Sequence, residues 1–213
     1  MLRIAAPVSF GLAHVGPAIN EFMRQHPGVT VDLDFNDRQI DLVEEGFDVA
    51  IRIAKLSDSS LMARRLTTIR NVICSSPDYW EEHGRPERPE DLRRHQWLRY
   101  TNLRQRSWPW VAPDGSKGSV TVPVRLTANN GEYLALAARA GFGVVRMPTF
   151  IVCGGIESGQ LEPVLTDFHW GDMGAYAVYP PTRHLSHRVR VLIDFLVERF
   201  GDEPYWDECL KSR

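Results

Sequence analysis

From Leu2 to Ala54 the sequence repeats one pattern: an apolar or alternating run, a helical stretch, then another such run. LRIAAP reads as a buried strand. Leu12, Val15, Ile19, Phe22 and Met23 then recur at helical spacing until His26-Pro27-Gly28 stops them. Pro17 falls early in that stretch, so its first turn is expected to be separate or kinked. Val29, Val31, Leu33 and Phe35 alternate with Thr30, Asp32 and Asp34, as a half-buried strand requires. Arg38–Glu45 reads as a short helix closed at Gly46, and Asp48–Ala54, DVAIRIA, as a strand that tolerates burial on both faces. Strands joined through helices by short links run parallel, with helices covering the sheet.

The middle of the chain is richer in strands. Leu61–Ile69, Asn71–Ser76 and Trp97–Thr101 read as strands, and Pro77 is placed to open a short helix. Trp108–Val111 and Ser119–Thr127 flank PDGSKG, a hairpin signal. Glu132–Ala140 reads as a helix ended by Gly141, Phe142–Met147 as a buried strand, and Pro148 as the opening of a further helix. Glu162–Asp167 and Ala175–Tyr179 are late strands. The last helix carries Val189, Leu192, Ile193, Leu196 and Phe200 on one face.

Composition excludes several functions. Lys and Arg number 25 against 27 Asp and Glu, a net charge of -2, which argues against a nucleic-acid clamp. Cys74, Cys153 and Cys209 are an odd number without short spacing and are expected as reduced thiols. There is neither an eighteen-residue apolar stretch nor a signal-peptide run, so the expectation is a soluble, cytoplasmic protein with no membrane partner. AGFGVV lacks the third glycine of a dinucleotide fingerprint and reads as a helix end and strand. His184 and His187 lack further ligands to hold a metal. Acidic residues are interleaved among the arginines between Arg85 and Arg106, as on a solvated face. With no acid–base pair or nucleophile in a known arrangement, the chain is not expected to be an enzyme and calls for no cofactor or metal.

Ligands of open α/β sheets sit beyond the carboxyl ends of the strands. That rule nominates two loops that feed helices, Val8–Gly11 and Thr127–Gly131. Ser9, and Asn129 or Asn130, could each be a helix cap, an anion contact, or both.

DVAIRIAKLSDSSLMARRL, VICSSPDYWEEHG, LTANNGEYLALAARAGFGVVRMP and the closing YPPTRHLSHRVRVLIDFLVERF, in that order, resemble the effector-binding region of LysR-type transcriptional regulators. The likeness runs from Leu2 to about Phe200. It implies an α/β fold of two Rossmann-like lobes joined by two crossing strands, like the type 2 periplasmic binding proteins. The first lobe would hold residues 1–75 and, with the return strand and final helix, 177–213. The second would hold 76–176, with Asn71–Ser76 and Ala175–Tyr179 as the crossing strands.

The resemblance further implies a small-molecule effector, most plausibly an organic acid, held in a cleft between the lobes. Val8, Ser9 and Phe10 would form one wall. Tyr100, Thr101, Asn129 and Asn130, with Arg146 and Met147, would form the other, and Arg52 is a weaker candidate. It also implies a homodimer or higher homo-oligomer. DNA would be reached only through an N-terminal winged helix-turn-helix, which is absent from this chain because the chain begins at the first effector-domain strand. A stand-alone solute-binding protein of the same fold is the alternative. The unpaired cysteines and the missing signal peptide weigh against it.

Overall fold

The computed structural model describes residues 1–38, 40–55, 62–102, 106–181 and 186–210. The chain begins with β1 (Leu2–Ala6), α1 (Val8–Phe10), a π-helical turn over Gly11–Val15, α2 (Gly16–Gln25), β2 (Val31–Phe35), β3 (Val49–Ala54) and β4 (Met62–Ile69). Next come β5 (Asn71–Ser75), α3 (Pro77–His83), a 3-10 helix (Pro89–Arg94), β6 (Trp97–Tyr100), β7 (Trp108–Val111) and β8 (Lys117–Val120). β9 (Val124–Ala128), α4 (Gly131–Arg139), β10 (Val145–Pro148), α5 (Thr149–Glu157) and β11 (Glu162–Val164) follow. β12 (Met173–Tyr179), α6 (His187–Phe200) and a 3-10 turn (Tyr205–Leu210) close the chain.

Two compact units emerge: Met1–Ile69 with Met173–Tyr205, and Arg70–Asp172 with Trp206–Arg213. In the first, the sheet order is β2-β1-β3-β12-β4. β1 pairs parallel with β2 and β3, and β12 runs antiparallel to both β3 and β4. α6 belongs to this unit: Leu192 and Leu196 are fully buried, Phe195 lies 5.4 Å from Phe22 of α2, and Arg199 donates to Glu21 at 3.0 Å.

The π turn explains how this chain carries Pro17. A proline ring clashes with the carbonyl four residues back, and widening the preceding turn relieves it. The widened register is visible where the Gly16 N–H donates to Gly11 rather than to Leu12. Val15, Ile19 and Phe22 keep the buried face, while Leu12, inside the widened turn, is turned out to solvent and Met23 lies on the margin. Gly11 is required by packing, since a Cβ there would meet Phe35 Cδ1 at 2.5 Å.

No helix is formed among the described residues of Arg38–Glu45, where one is expected; Gln39 lies outside them. Asp41 Oδ1 accepts the N–H groups of Val43 and Glu44, Glu45 donates to the Asp41 carbonyl, and Gly46 turns left-handed at φ +69°. A capping carboxylate and a terminating glycine this close together leave room for one turn only.

In the second unit, β5 pairs antiparallel with β10 and β11, while β6 and β9 pair parallel. The two sheets join through Val144, which donates to Gln96 at 2.8 Å and accepts from Leu98 at 3.0 Å. The resulting strand sequence β9-β6-β10 has its carboxyl ends on one side. β5, which covers Asn71–Ser75 of the crossing strand expected over Asn71–Ser76, belongs to this unit. Pro123 divides the long strand expected over Ser119–Thr127 into β8, which closes the hairpin with β7, and β9.

Candidate functional site

In the first unit, the chain leaves the carboxyl end of β1 at Ala6 and turns into α1. Pro7 supplies no side-chain cap, and Ser9 lies within the first turn rather than before it. The capping role expected of Ser9 falls to a residue from another strand end: Asp37 Oδ1 accepts the Val8 N–H at 3.1 Å. Asn36, next to Asp37, donates its N–H to Ala6 at 3.0 Å and its amide to Asp34 at 2.7 Å, which fixes the loop after β2 against the loop after β1. Phe10 is fully buried against His14 and Phe200 at 5.3 and 5.7 Å, so its side chain serves the core. Val8 and Ser9 remain half-buried at the rim. Arg52 extends across the strand to the Ile40 carbonyl at 2.8 Å.

In the second unit, the carboxyl ends of β6 and β9 bring four of the expected residues side by side. Tyr100 pairs with Ala128, and the Thr101 N–H donates to the Ala128 carbonyl at 2.9 Å, which sets Thr101 beside Asn129. The Tyr100 hydroxyl accepts from the Asn102 amide at 3.1 Å. Of the two asparagines, Asn130 is the helix cap: its Oδ1 accepts the Tyr133 N–H at 2.8 Å. Asn129 and Thr101 are exposed at the same rim. The N-terminus of α4 therefore presents first-turn N–H groups beside an exposed carboxamide and hydroxyl.

Arg146 and Met147 separate. Adjacent residues of β10 point to opposite faces of the sheet. Met147 packs with Leu98 and Leu134 in the core under α4, with Tyr100 and Ala128 at its edge. It also lies under the start of α4, where a Cβ on Gly131 would meet Met147 Sδ at 3.4 Å and Ile151 Cδ1 at 2.7 Å. Arg146 is buried on the other face and donates to the Trp170 carbonyl at 3.3 Å. Burial pushes its pKa down to about 10, which leaves the guanidinium charged at neutral pH. Nothing in the local sequence marks Asp37 or the Trp170 carbonyl as partners, because both arrive from distant elements.

Of the arginine-rich stretch, Arg85, Arg88, Arg93, Arg94 and Arg106 are exposed, while Arg104 lies outside the described residues. Arg85 makes a two-point bridge to Glu162 at 2.8 and 2.9 Å, and Arg88 pairs with Asp91 at 3.5 Å. Among the described residues no His, Cys, Asp and Glu group could hold a metal ion; His184 lies outside them. No helix among them is long and apolar enough to cross a membrane.

The cysteine expectation needs correction. Only Cys74 is a free, buried thiol; Cys153 of α5 and Cys209 of the final turn are joined as a disulfide, with their Cα atoms 5.6 Å apart. A separation of 56 residues carries no spacing signal. The pair is created by the return of residues 206–210 to the second unit.

Residues 1–201 match the family model described as the LysR substrate binding domain. An uncharacterized HTH-type transcriptional regulator of Haemophilus influenzae is 35% identical over 193 residues, covering 88% of this chain and 65% of that protein. The HTH-type transcriptional activator TtdR of Escherichia coli is 32% identical over 212 residues, 96% of this chain and 68% of that protein. The chain thus spans about two thirds of the length of these relatives. The regulatory domain of CrgA from Neisseria meningitidis, described as a LysR-type transcriptional regulator, superposes with a TM-score of 0.80 at 30% identity. That match covers 94% of this chain and 98% of the CrgA domain. Full-length AphB of Vibrio cholerae gives a TM-score of 0.78 at 27% identity, over 92% of this chain and 67% of AphB. The fold is the mixed α/β, type 2 periplasmic-binding-protein-like fold of LysR regulatory domains. The two units, their parallel strand ends and the family match converge on one conclusion: this chain belongs to the LysR substrate-binding domain family.

Proposed function

We propose that the chain is the effector-sensing part of a LysR-type regulator and that its effector is a small organic anion. The observation that carries this reading is the rim of the second unit, where Thr101 and Asn129 stand exposed beside the N-terminus of α4 while Asn130 alone serves as the cap. Free N–H groups and the helix dipole favour an anion there by about 0.3–1 kcal/mol, and a side-chain hydrogen bond to a charged ligand adds about 1.5–3 kcal/mol. Ser9 and Val8 are the corresponding rim of the first unit. Tyr100, next to Thr101, packs at the edge of the core cluster that holds Met147, and Arg146 supplies a fixed positive charge from the opposite face of β10.

Binding controls transcription through a DNA-binding domain attached to this one, and a ligand shifts the domain between states only through its differential affinity for them. The chain pairs with a second copy. Leu136 and Tyr133 of α4, 57% and 51% exposed, and Leu12, 59% exposed, are large apolar side chains that a partner would cover. A stand-alone solute-binding role receives no support from the relatives, which are regulators. A thermal-shift screen of small organic acids, amines and neutral compounds tests the proposal: an acid should raise the melting temperature of the chain, and less so that of Asn129→Ala. A screen in which only cations or neutral compounds stabilise the chain would overturn the anion assignment.

A further inference from the structure

The last turn of the chain is seated on α5 at two points one helical turn apart. Thr149 and Cys153 are four residues apart and share a helix face. Thr149 Oγ1 donates to the carboxylate of Asp207, and Cys153 meets Cys209. Arg70 Nε stands 3.5 Å from the other oxygen of Asp207, and Trp206 and Cys209 are buried. This turn is a strap: α6 belongs to the first unit, and the chain joins the second at Trp206.

We propose that Cys153 and Cys209 form a reversible redox modification site, closed by exchange with a low-molecular-weight disulfide and reopened by a dithiol, that fastens the C-terminal strap to α5. The Cα separation of 5.6 Å lies within the range that a disulfide bridges without moving the backbone. Asp207 holds the strap in register independently of the bond, so the reduced thiols are already aligned. Cys209 is buried in a single short 3-10 turn whose Tyr205 and Glu208 are exposed, and local opening of so short an element exposes it to the oxidant. Its thiolate attacks the small disulfide, forming a mixed disulfide and releasing one small thiol. The Cys153 thiolate then displaces the second small thiol, leaving the Cys153–Cys209 bond. Two electrons pass to the small disulfide, and the two cysteine protons end on the released thiols. Cys74 lies in the same core cluster but stays out of the exchange, because burial pushes its thiol up to about 12. The ring closed by the bond contains β12 and α6, so oxidation ties the strap into a loop that passes through the first unit.

The test uses the whole chain, incubated under native conditions with oxidised glutathione or with dithiothreitol. After oxidation, peptide mapping should find Cys153 bonded to Cys209, with Cys74 the sole alkylated cysteine. The melting temperature should rise by about 5 °C or more over the reduced chain. Cys209→Ser should melt at the same temperature under both conditions. Native dithiothreitol should reopen the bond. Persistent glutathione adducts, a bond to Cys74, no redox-dependent shift, or a bond that opens only after unfolding would each overturn the proposal.

Discussion

The Val8 N–H is held by Asp37 Oδ1 at 3.1 Å, so the first helical run of the chain already faces a carboxylate. An anionic effector brought to Val8 and Ser9 would meet a like charge. Asp37→Asn keeps an accepting oxygen and removes that charge. The substitution should tighten an organic anion roughly fivefold, the equivalent of about 1 kcal/mol. Calorimetry on the two proteins checks this, and weaker binding of the anion by the asparagine variant would mean that Asp37 shapes the loop for the anion rather than opposing it.

The two asparagines should separate by what they lose. Asn130→Ala removes the cap on Tyr133 and should lower stability by about 0.5–2 kcal/mol. Asn129→Ala, at an exposed position, should leave chemical denaturation within about 0.5 kcal/mol of the parent. Equal destabilisation by both variants would mean that Asn129 is structural.

Much of this arrangement was legible in the sequence. Alternation over Val31–Phe35, the glycine stop after Phe200 and the turn residues of PDGSKG are local signals, and each marks its element. Three contacts that the sequence does not reveal share a cause. Asp37 reaches Val8 across two strand ends, Asp207 reaches Thr149 across 58 residues, and Cys209 reaches Cys153 across 56, so none leaves a local pattern. The helix expected at Arg38–Glu45 fails for a different reason: Asp41 and Gly46 leave room for one turn only. Arg146 and Met147 enter together only through the resemblance; as neighbours in a strand they point to opposite faces of the sheet.

α4 offers a direct test of pairing between copies. Leu136→Asp places a charge where an exposed apolar side chain now stands, and should convert a dimer to monomer in sedimentation at micromolar concentration with little change in monomer stability. Unchanged sedimentation would remove α4 from the interface.

His14 predicts an acid-sensitive first unit. Burial, with a further contribution from Arg199, lowers its pKa from 6.5 to about 4. Its Nδ1 lies 2.7 Å from the Tyr205 hydroxyl, and Phe10 packs on its ring. The folded state favours the neutral ring, so this contribution is complete above pH 6.5 and is lost as pH falls from 6.5 towards 4. The slope from one such proton is at most about 1.4 kcal/mol per pH unit. Denaturation curves of His14→Gln should be flatter across that window, and an unchanged slope would show that another group governs it.

Packing of α6 on the first unit should also be measurable. Leu192 is fully buried, and Leu192→Ala should cost about 2–5 kcal/mol of unfolding free energy. A loss below about 1 kcal/mol would be incompatible with that packing.

The central claim is that the exposed polar groups at the strand ends hold an anion. Isothermal titration of an organic acid selected by thermal shift into the parent, Thr101→Ala and Asn129→Ala, each shown to be folded, tests it most directly. Loss of one hydrogen bond to a charged ligand should weaken binding roughly tenfold or more in each variant. Affinities equal to the parent in both variants would contradict the assignment of these loops as the effector site.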